Sequence, residues 1–259
     1  MERVIHPTAI VDPRAEIDEG VLIGPFSVIG DGARIKRGSK LHSHVIIEGD
    51  TEIGENCVIY PYTSIGLPPQ DLKYKGEKTG VRIGNNNTIR EYITVHRASV
   101  GGEGLTVIGD NNFLMAYVHI AHDCRIGSGV ALANVATLAG HVLVEDHAVI
   151  GGLVAVHQFT RIGAYAMVGG FSGVGQDIPP YMIASGARAK LFGLNKIGLK
   201  RHGFSDETID ELKKAYKILF REKHTLKEAL KKIQQDLPYS DEIKHLIEFI
   251  KENKRGICR

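Results

Sequence analysis

For most of the chain every sixth position is aliphatic. The series opens at Ile5 and runs through Val11, Ile17, Ile23 and Ile29 to Ile65. It returns at Ile83, Ile89 and Val95, and then steps by sixes from Ile108 to Val174. A second register, four places after each aliphatic residue, is small: Ala9, Ala15, Ser27, Ala33, Ser39. A period of six fits neither an α-helix at 3.6 nor a half-buried strand at 2. It fits a hexapeptide solenoid, in which three short strands make one triangular coil and both registers point into the prism.

Two segments interrupt the pattern. Residues 66–80 (GLPPQDLKYKGEKTG) carry two prolines and dense charge and read as a loop. Ile65 and Ile83 are 18 residues apart, which reads as one full coil with its phase preserved. Between Val95 and Ile108 the step is 13, one more than two hexads, so the Gly-rich stretch 97–106 reads as a second bulge. The repeat ends at IPPY (178–181), where prolines stop strand pairing. Beyond about residue 190 the pattern turns helical. Ser205 can cap a helix over 206–222, Thr225 with Glu228 forms a capping box for a second, and Ser240 opens a third. The expected organisation is an all-β solenoid over 1–185 and a small helical domain over 186–259.

Composition refines this picture. Thirty glycines and no tryptophan suit tight coils whose corners need positive φ. No stretch approaches the roughly 20 apolar residues of a membrane span, and the first residues enter the repeat at once, which reads as no secretory leader. Cys57, Cys124 and Cys258 are too scattered for a disulfide framework, and the first two fall in the inward register, so a reducing cytoplasm is expected. The net charge of +2 conceals an asymmetry. Residues 1–181 hold 14 basic against 19 acidic residues, and residues 182–259 hold 18 against 11. A basic end on an acidic body suits an acidic partner, and solvated lysine-rich helix faces would look the same.

Candidate chemistry follows from the coil period. Residues 18 apart stack on neighbouring coils about 4.8 Å apart, so His122, Gly140 and Gln158 form an outward column. His119, His141 and His157 flank it. Taken alone, this edge fits scattered surface histidines, a metal site, or acid–base chemistry by an imidazole titrating near neutrality, with Asp123 as an orienting carboxylate.

The motifs QDLKY (70–74), HIAHDC (119–124), LAGHV (138–142), GGLVAVHQF (151–159), GGFSGVGQDIPPY (169–181) and GLNKIGLKRHGF (193–204) carry a closer resemblance. Over nearly its whole length the chain resembles the UDP-N-acetylglucosamine O-acyltransferases of lipid A synthesis, hexapeptide-repeat enzymes of the left-handed parallel β-helix class. The resemblance implies His122 as general base, Asp123 as its orienting acid and the Gly140 amide as oxyanion donor. It implies substrate contacts from Gln70, Asp71, Lys73, His119, His141, His157, Gln158, Asn195 and Arg201, with Gly170 limiting acyl length. It implies transfer of a (3R)-3-hydroxyacyl chain from acyl carrier protein to UDP-N-acetylglucosamine by a homotrimer, without metal or cofactor and without nucleic acid. The active sites are then expected in clefts where one subunit's 66–80 loop meets the next subunit's histidine edge. The chain departs from the family pattern at Ile197, where many relatives are acidic, and at His202, where many carry a second arginine. Three other readings stay open: an N-acyltransferase on the 3-amino analogue, a zinc carbonic anhydrase on the same helix, and a scaffold without catalysis.

Overall fold

A computed structural model describes residues 2–259. Strands of mostly two residues alternate with two-residue corners and stack into three parallel sheets of eleven, nine and eight strands. These are faces one, two and three of a triangular prism, and the chain visits them in that order. With the helical segment that follows, the architecture is a left-handed parallel β-helix carrying a small helical C-terminus. The six-residue register is the core: Ile29, Ile35, Ile47, Ile59 and Ile65 are all at most 1% exposed. Burial of each such side chain contributes about 1.5–3 kcal/mol. Small polar residues of the second register are buried too, and at Ser27 and Ser39 the coil above satisfies the hydroxyl. Ser27 Oγ donates to the His42 carbonyl at 2.9 Å and Ser39 Oγ to that of Gly54 at 2.7 Å, which removes the penalty of burying a bare hydroxyl.

The pairing corrects the reading of the interruptions. On face one the aliphatic register runs Leu41↔Ile59, Ile59↔Ile89, Ile89↔Leu114 and Leu114↔Leu132. Two of these steps are therefore 30 and 25 residues rather than 18. Ile83 does not stack on Ile65. It pairs with Ile53 on face three, while Ile65 pairs with Val95 on face two. The first loop is thus a twelve-residue insertion at one corner, and the second a seven-residue insertion at the same corner one coil on. Both leave the edge joining face two to face three, and strand pairing resumes unshifted because each returns to the corner it left.

Glycine is not what most corners use. The second corner residue has φ near +60° at Phe26, His44, Tyr62, Tyr92, Tyr117 and other non-glycine positions, at a cost of about 1–2 kcal/mol each. Stacking offsets the strain: the Tyr62 ring centre lies 5.0 Å from that of Tyr92, and Tyr92 4.8 Å from Tyr117, stacked with their planes nearly parallel.

The sheet also runs further than expected. Lys190–Leu194 pairs antiparallel with Met182–Ser185, inside the segment read as helical. Four helices then follow: α1 (Lys196–Arg201), α2 (Asp206–Phe220), α3 (Leu226–Asp236) and α4 (Asp241–Lys251). Ser205 caps α2 and Thr225 with Glu228 forms the expected capping box. Ser240 precedes α4 but makes no cap bond; its hydroxyl donates to Glu211. Arg161 ties helices to prism: its Nε donates to Asp177 at 2.8 Å, a terminal nitrogen donates to the Phe249 carbonyl at 2.7 Å, and its guanidinium lies 4.1 Å from the Phe249 ring centre.

Candidate active site

The edge between faces two and three carries both insertions and, on the coils above them, the corners at 122–123, 140–141 and 158–159. His122 and Asp123 are the two corner residues following the strand His119–Ile120. Asp123 takes the φ +59° position, and its amide donates to Thr106 Oγ1 at 2.9 Å. Its carboxylate is 3% exposed. Oδ2 lies 2.8 Å from His122 Nδ1 and accepts the Ser99 amide at 3.0 Å. A carboxylate only accepts, so Nδ1 of His122 carries the proton and Nε2 presents a lone pair. His141, on the next coil, is edge-on to His122 with ring centres 5.2 Å apart, and its Nε2 is 3.8 Å from Asp123 Oδ2.

Gly140 lies directly against the His122 ring. A Cβ built on it would fall 2.5 Å from Cε1 and 2.7 Å from Nε2, so only glycine leaves room for the imidazole. Its amide donates to no acceptor among the described residues. An open cleft of about 970 Å³ borders this edge; Gly102, Asp123, His141, Phe159, Arg161 and Arg255 help to line it, and it touches the pair through Asp123 and His141 rather than through His122 or Gly140 themselves.

Other expected residues divide into those the edge collects and those it does not. His119 joins the cluster: its Nδ1 is 2.7 Å from Thr94 Oγ1, and burial, reinforced by His122, pushes its pKa down. Behind it lies His96, 5.0 Å away and lowered to about 4 by burial and by His119 and His122, so this ring is neutral. Asp71 reaches the same edge from the first loop. Its carboxylate accepts the Ser99 hydroxyl at 2.5 Å and the Lys73 amide at 3.0 Å. These two bonds, the hydroxyl first, hold it below the usual carboxylate range. The loop thus meets the histidine edge of its own chain, because the insertion leaves from this very corner. Gln70 and Lys73 are exposed on it.

His157 does not join the cluster. It is exposed, its Nδ1 is 3.1 Å from Arg255, and it lines a separate groove with Ala155, Gly173 and Ala187. Gln158 is exposed on the column with no side-chain bond among the described residues. Asn195 and Arg201 lie at a different edge, between faces three and one. Asn195 caps α1 through Gly198 and donates to the Tyr165 carbonyl. Arg201 precedes His202, whose ring packs 4.8 Å from His147 and 5.1 Å from Tyr165. Gly170 is at the third edge, exposed, and a Cβ there would touch the Gly152 carbonyl at 3.2 Å.

Two features escaped sequence reasoning. Ser99, 1% exposed, bonds both Asp123 and Asp71. Gly102 is pressed onto the other face of Asp123, where an added Cβ would collide with Oδ1. Both lie in the second insertion, where hexad phase says nothing; the Gly-Gly-Glu-Gly run was the one available signal.

The cluster His122, Asp123 and His141 offers ligand atoms within 4.8 Å of one another. It is two imidazoles and a carboxylate already engaged by His122 and Ser99, not the three imidazoles a carbonic anhydrase needs. A thiol nucleophile is equally ill served, since burial pushes the Cys124 thiol up to about 12.

Comparison with known proteins names the family. Residues 177–258 match the model described as UDP-N-acetylglucosamine O-acyltransferase, domain 2, and residues 32–66 and 105–140 match the bacterial transferase hexapeptide repeat. The structure is similar to that of LpxA from Acinetobacter baumannii, with a TM-score of 0.97 at 45% identity, covering 99% of this chain and 100% of that one. It is also similar to LpxA, a UDP-N-acetylglucosamine acyltransferase, from Bacteroides fragilis, with a TM-score of 0.95 at 39% identity over 99% and 100%. The chain is 71% identical over 255 residues to the acyl-[acyl-carrier-protein]–UDP-N-acetylglucosamine O-acyltransferase of Thermodesulfovibrio yellowstonii, covering 98% of this chain and 99% of that protein. On that identity, and with this edge in place, the chain belongs to the acyl-[acyl-carrier-protein]–UDP-N-acetylglucosamine O-acyltransferase family.

Proposed function

We propose that this protein moves a (3R)-3-hydroxyacyl chain from acyl carrier protein to the 3-hydroxyl of UDP-N-acetylglucosamine, the opening acylation of lipid A biosynthesis. The single observation that carries the mechanism is His122, held by Asp123 through Nδ1, with its ring packed directly against Gly140. Nε2 takes the proton of the sugar hydroxyl as its oxygen attacks the thioester carbon. The carbonyl π electrons move onto oxygen, and the Gly140 N–H donates to that oxyanion. Collapse restores the carbonyl, breaks the carbon–sulfur bond, and returns the proton from the imidazolium to the departing thiol of the carrier. Asp123 fixes the tautomer and stabilises the imidazolium without itself taking a proton.

Asp71, Lys73, Gln70, His119, His141 and Gln158 are the proposed acceptor-side contacts, and Gly170 the proposed limit on acyl length. Asn195 and Arg201 reach the same site only from a second copy, since within one chain they occupy another edge; this supports a homotrimer with shared clefts. So does the row of exposed aromatic corners at Phe26, Tyr62, Tyr92, Tyr117 and Phe171, which leaves apolar surface for a neighbour. For the carrier, the proposed dock is the groove between Leu194 and α2, edged by Lys196, Lys213, Lys214, Lys217 and Arg221, which suits an acidic protein. The proposed location is the cytoplasm, where an acyl carrier thioester and a nucleotide sugar are both made.

The test is His122→Ala. Turnover should fall at least about 100-fold, the usual scale of a general base, with assembly and Tm unchanged. Near-normal turnover in that variant would end the proposal, and so would wild-type protein that yields no ester from these two substrates.

A further inference from the structure

Between the dyad and the first loop stands one small residue with a bond in each direction. Ser99 is buried. Its amide donates to Asp123 Oδ2 at 3.0 Å, and that same oxygen holds His122 Nδ1 at 2.8 Å. Its hydroxyl donates to Asp71 Oδ2 at 2.5 Å. Asp71 in turn accepts the Lys73 amide. An unbroken path therefore runs from the imidazole through a carboxylate, a serine and a second carboxylate to the tip of the loop.

The path is the loop tip's own attachment. Nearer its end the loop is held by Thr79, whose hydroxyl donates to the Ala98 carbonyl at 2.6 Å, and Tyr74 packs under Arg97. At the tip, Leu72 and Lys73 are exposed. Among the described residues, the Asp71–Ser99 bond is the side-chain bond that draws residues 70–73 toward His122. A hydroxyl has one hydrogen, and here it is committed to Asp71. This fixes which oxygen of Asp71 faces inward and leaves that carboxylate's remaining lone pairs for hydroxyls of a bound molecule.

We infer that Ser99 is a positioning residue that sets Asp71 beside the His122–Asp123 pair, so that one carboxylate orients the base and the other receives the acceptor sugar. The inference rests on the reading of the site as one that acylates a nucleotide sugar. Its two bonds separate cleanly by chemistry. Removing the hydroxyl frees Asp71 and leaves the amide on Asp123, so binding of the acceptor weakens while the base keeps its partner.

The experiment compares Ser99→Ala and Ser99→Thr with wild type, using UDP-N-acetylglucosamine and a hydroxyacyl carrier. Ser99→Ala should raise KM for the nucleotide sugar about 10-fold, the effect of losing one hydrogen bond to a charged group. The kcat should stay within about 3-fold, and the acidic limb of the kcat profile should not move. Ser99→Thr, which keeps the hydroxyl, should restore KM to within about 3-fold of wild type. In an Asp71→Ala background Ser99→Ala should add nothing further, because the two act as a unit. A wild-type KM in Ser99→Ala, or Ser99→Thr as impaired as Ser99→Ala, would overturn the inference. A second readout needs no substrate: limited trypsin cleavage after Lys73 and Lys75 should be several-fold faster in Ser99→Ala than in wild type or Ser99→Thr. Equal cleavage rates would refute the tether even if the acceptor proved to be another molecule. Absence of wild-type turnover would instead count against the proposed function.

Discussion

Gly140→Ala is the sharpest perturbation available, because its geometry is fixed by the backbone. Gly140 has no left-handed φ, so an alanine there suffers no backbone strain and its effect is the methyl group alone. That methyl would lie 2.5 Å from Cε1 and 2.7 Å from Nε2 of His122, where ordinary contact begins at 3.4 Å. The ring must therefore retreat by about 1 Å, which stretches its 2.8 Å bond to Asp123 and carries Nε2 away from the amide. A misplacement of that size costs about 100-fold in rate, or about 2.7 kcal/mol in the barrier. Initial rates of carrier-thiol release at saturating substrates would measure kcat directly, with Tm as the check on folding. Gly30→Ala is the control, since a Cβ there meets nothing closer than the Ile47 carbonyl at 3.4 Å; its kcat should match wild type. If Gly140→Ala retained kcat within about 3-fold of wild type, His122 would not work against that corner, and the oxyanion assignment would fall with it.

The six-residue period made the core legible because each inward side chain faces the same axis regardless of which coil it joins. Partnership between strands was not legible at the insertions. A spacing of 18 between Ile65 and Ile83 is one full coil or one face plus a twelve-residue loop, since both are multiples of six, and only the pairing of Ile83 with Ile53 decides. The column His122, Gly140, Gln158 was readable because no insertion falls between its members. The direction of His157 was not readable: its ring turns to Arg255, and a six-residue period does not encode which way a residue beside a corner points. Helix α1 is six residues long, too short for periodicity to register, so the capping bond of the Asn195 side chain was not readable from the sequence. The abundance of glycine suggested glycine corners. Stacked aromatics hold many of the left-handed corners instead, and stacking between coils is invisible in a linear pattern. What the loops do was the least legible, because Ser99 and Gly102 act outside the repeat. The first insertion shifts pairing only locally, between Ile65 and Leu67, and register resumes at Gly80–Ile83, so this edge is where the fold can accept a loop beside the dyad without loss of core.

Two further outcomes test parts of the molecule away from the dyad. If the lysine-lined groove on α2 receives the acidic carrier, KM for acyl carrier protein should rise steeply between about 20 and 200 mM salt, as screening shortens the reach of surface charge, while KM for the nucleotide sugar changes less. A carrier KM indifferent to salt would remove that dock. The join between helices and prism should depend on pH through His245 on α4. Its Nε2 lies 3.0 Å from Glu145 and its Nδ1 2.8 Å from the Tyr181 hydroxyl. The Glu145 bond, aided by the charges of Glu145 and Glu248, raises its pKa against the opposing effect of burial. Because the folded value lies above the unfolded one, the stabilisation is complete below the ordinary histidine pKa of about 6.5 and disappears as pH rises through the folded value. The Tm of wild type should therefore exceed that of His245→Gln most at pH 6, and the gap should narrow by about pH 8.5. A gap that stays constant across this range would mean that the imidazole contributes by packing against Tyr181 and not by its charge.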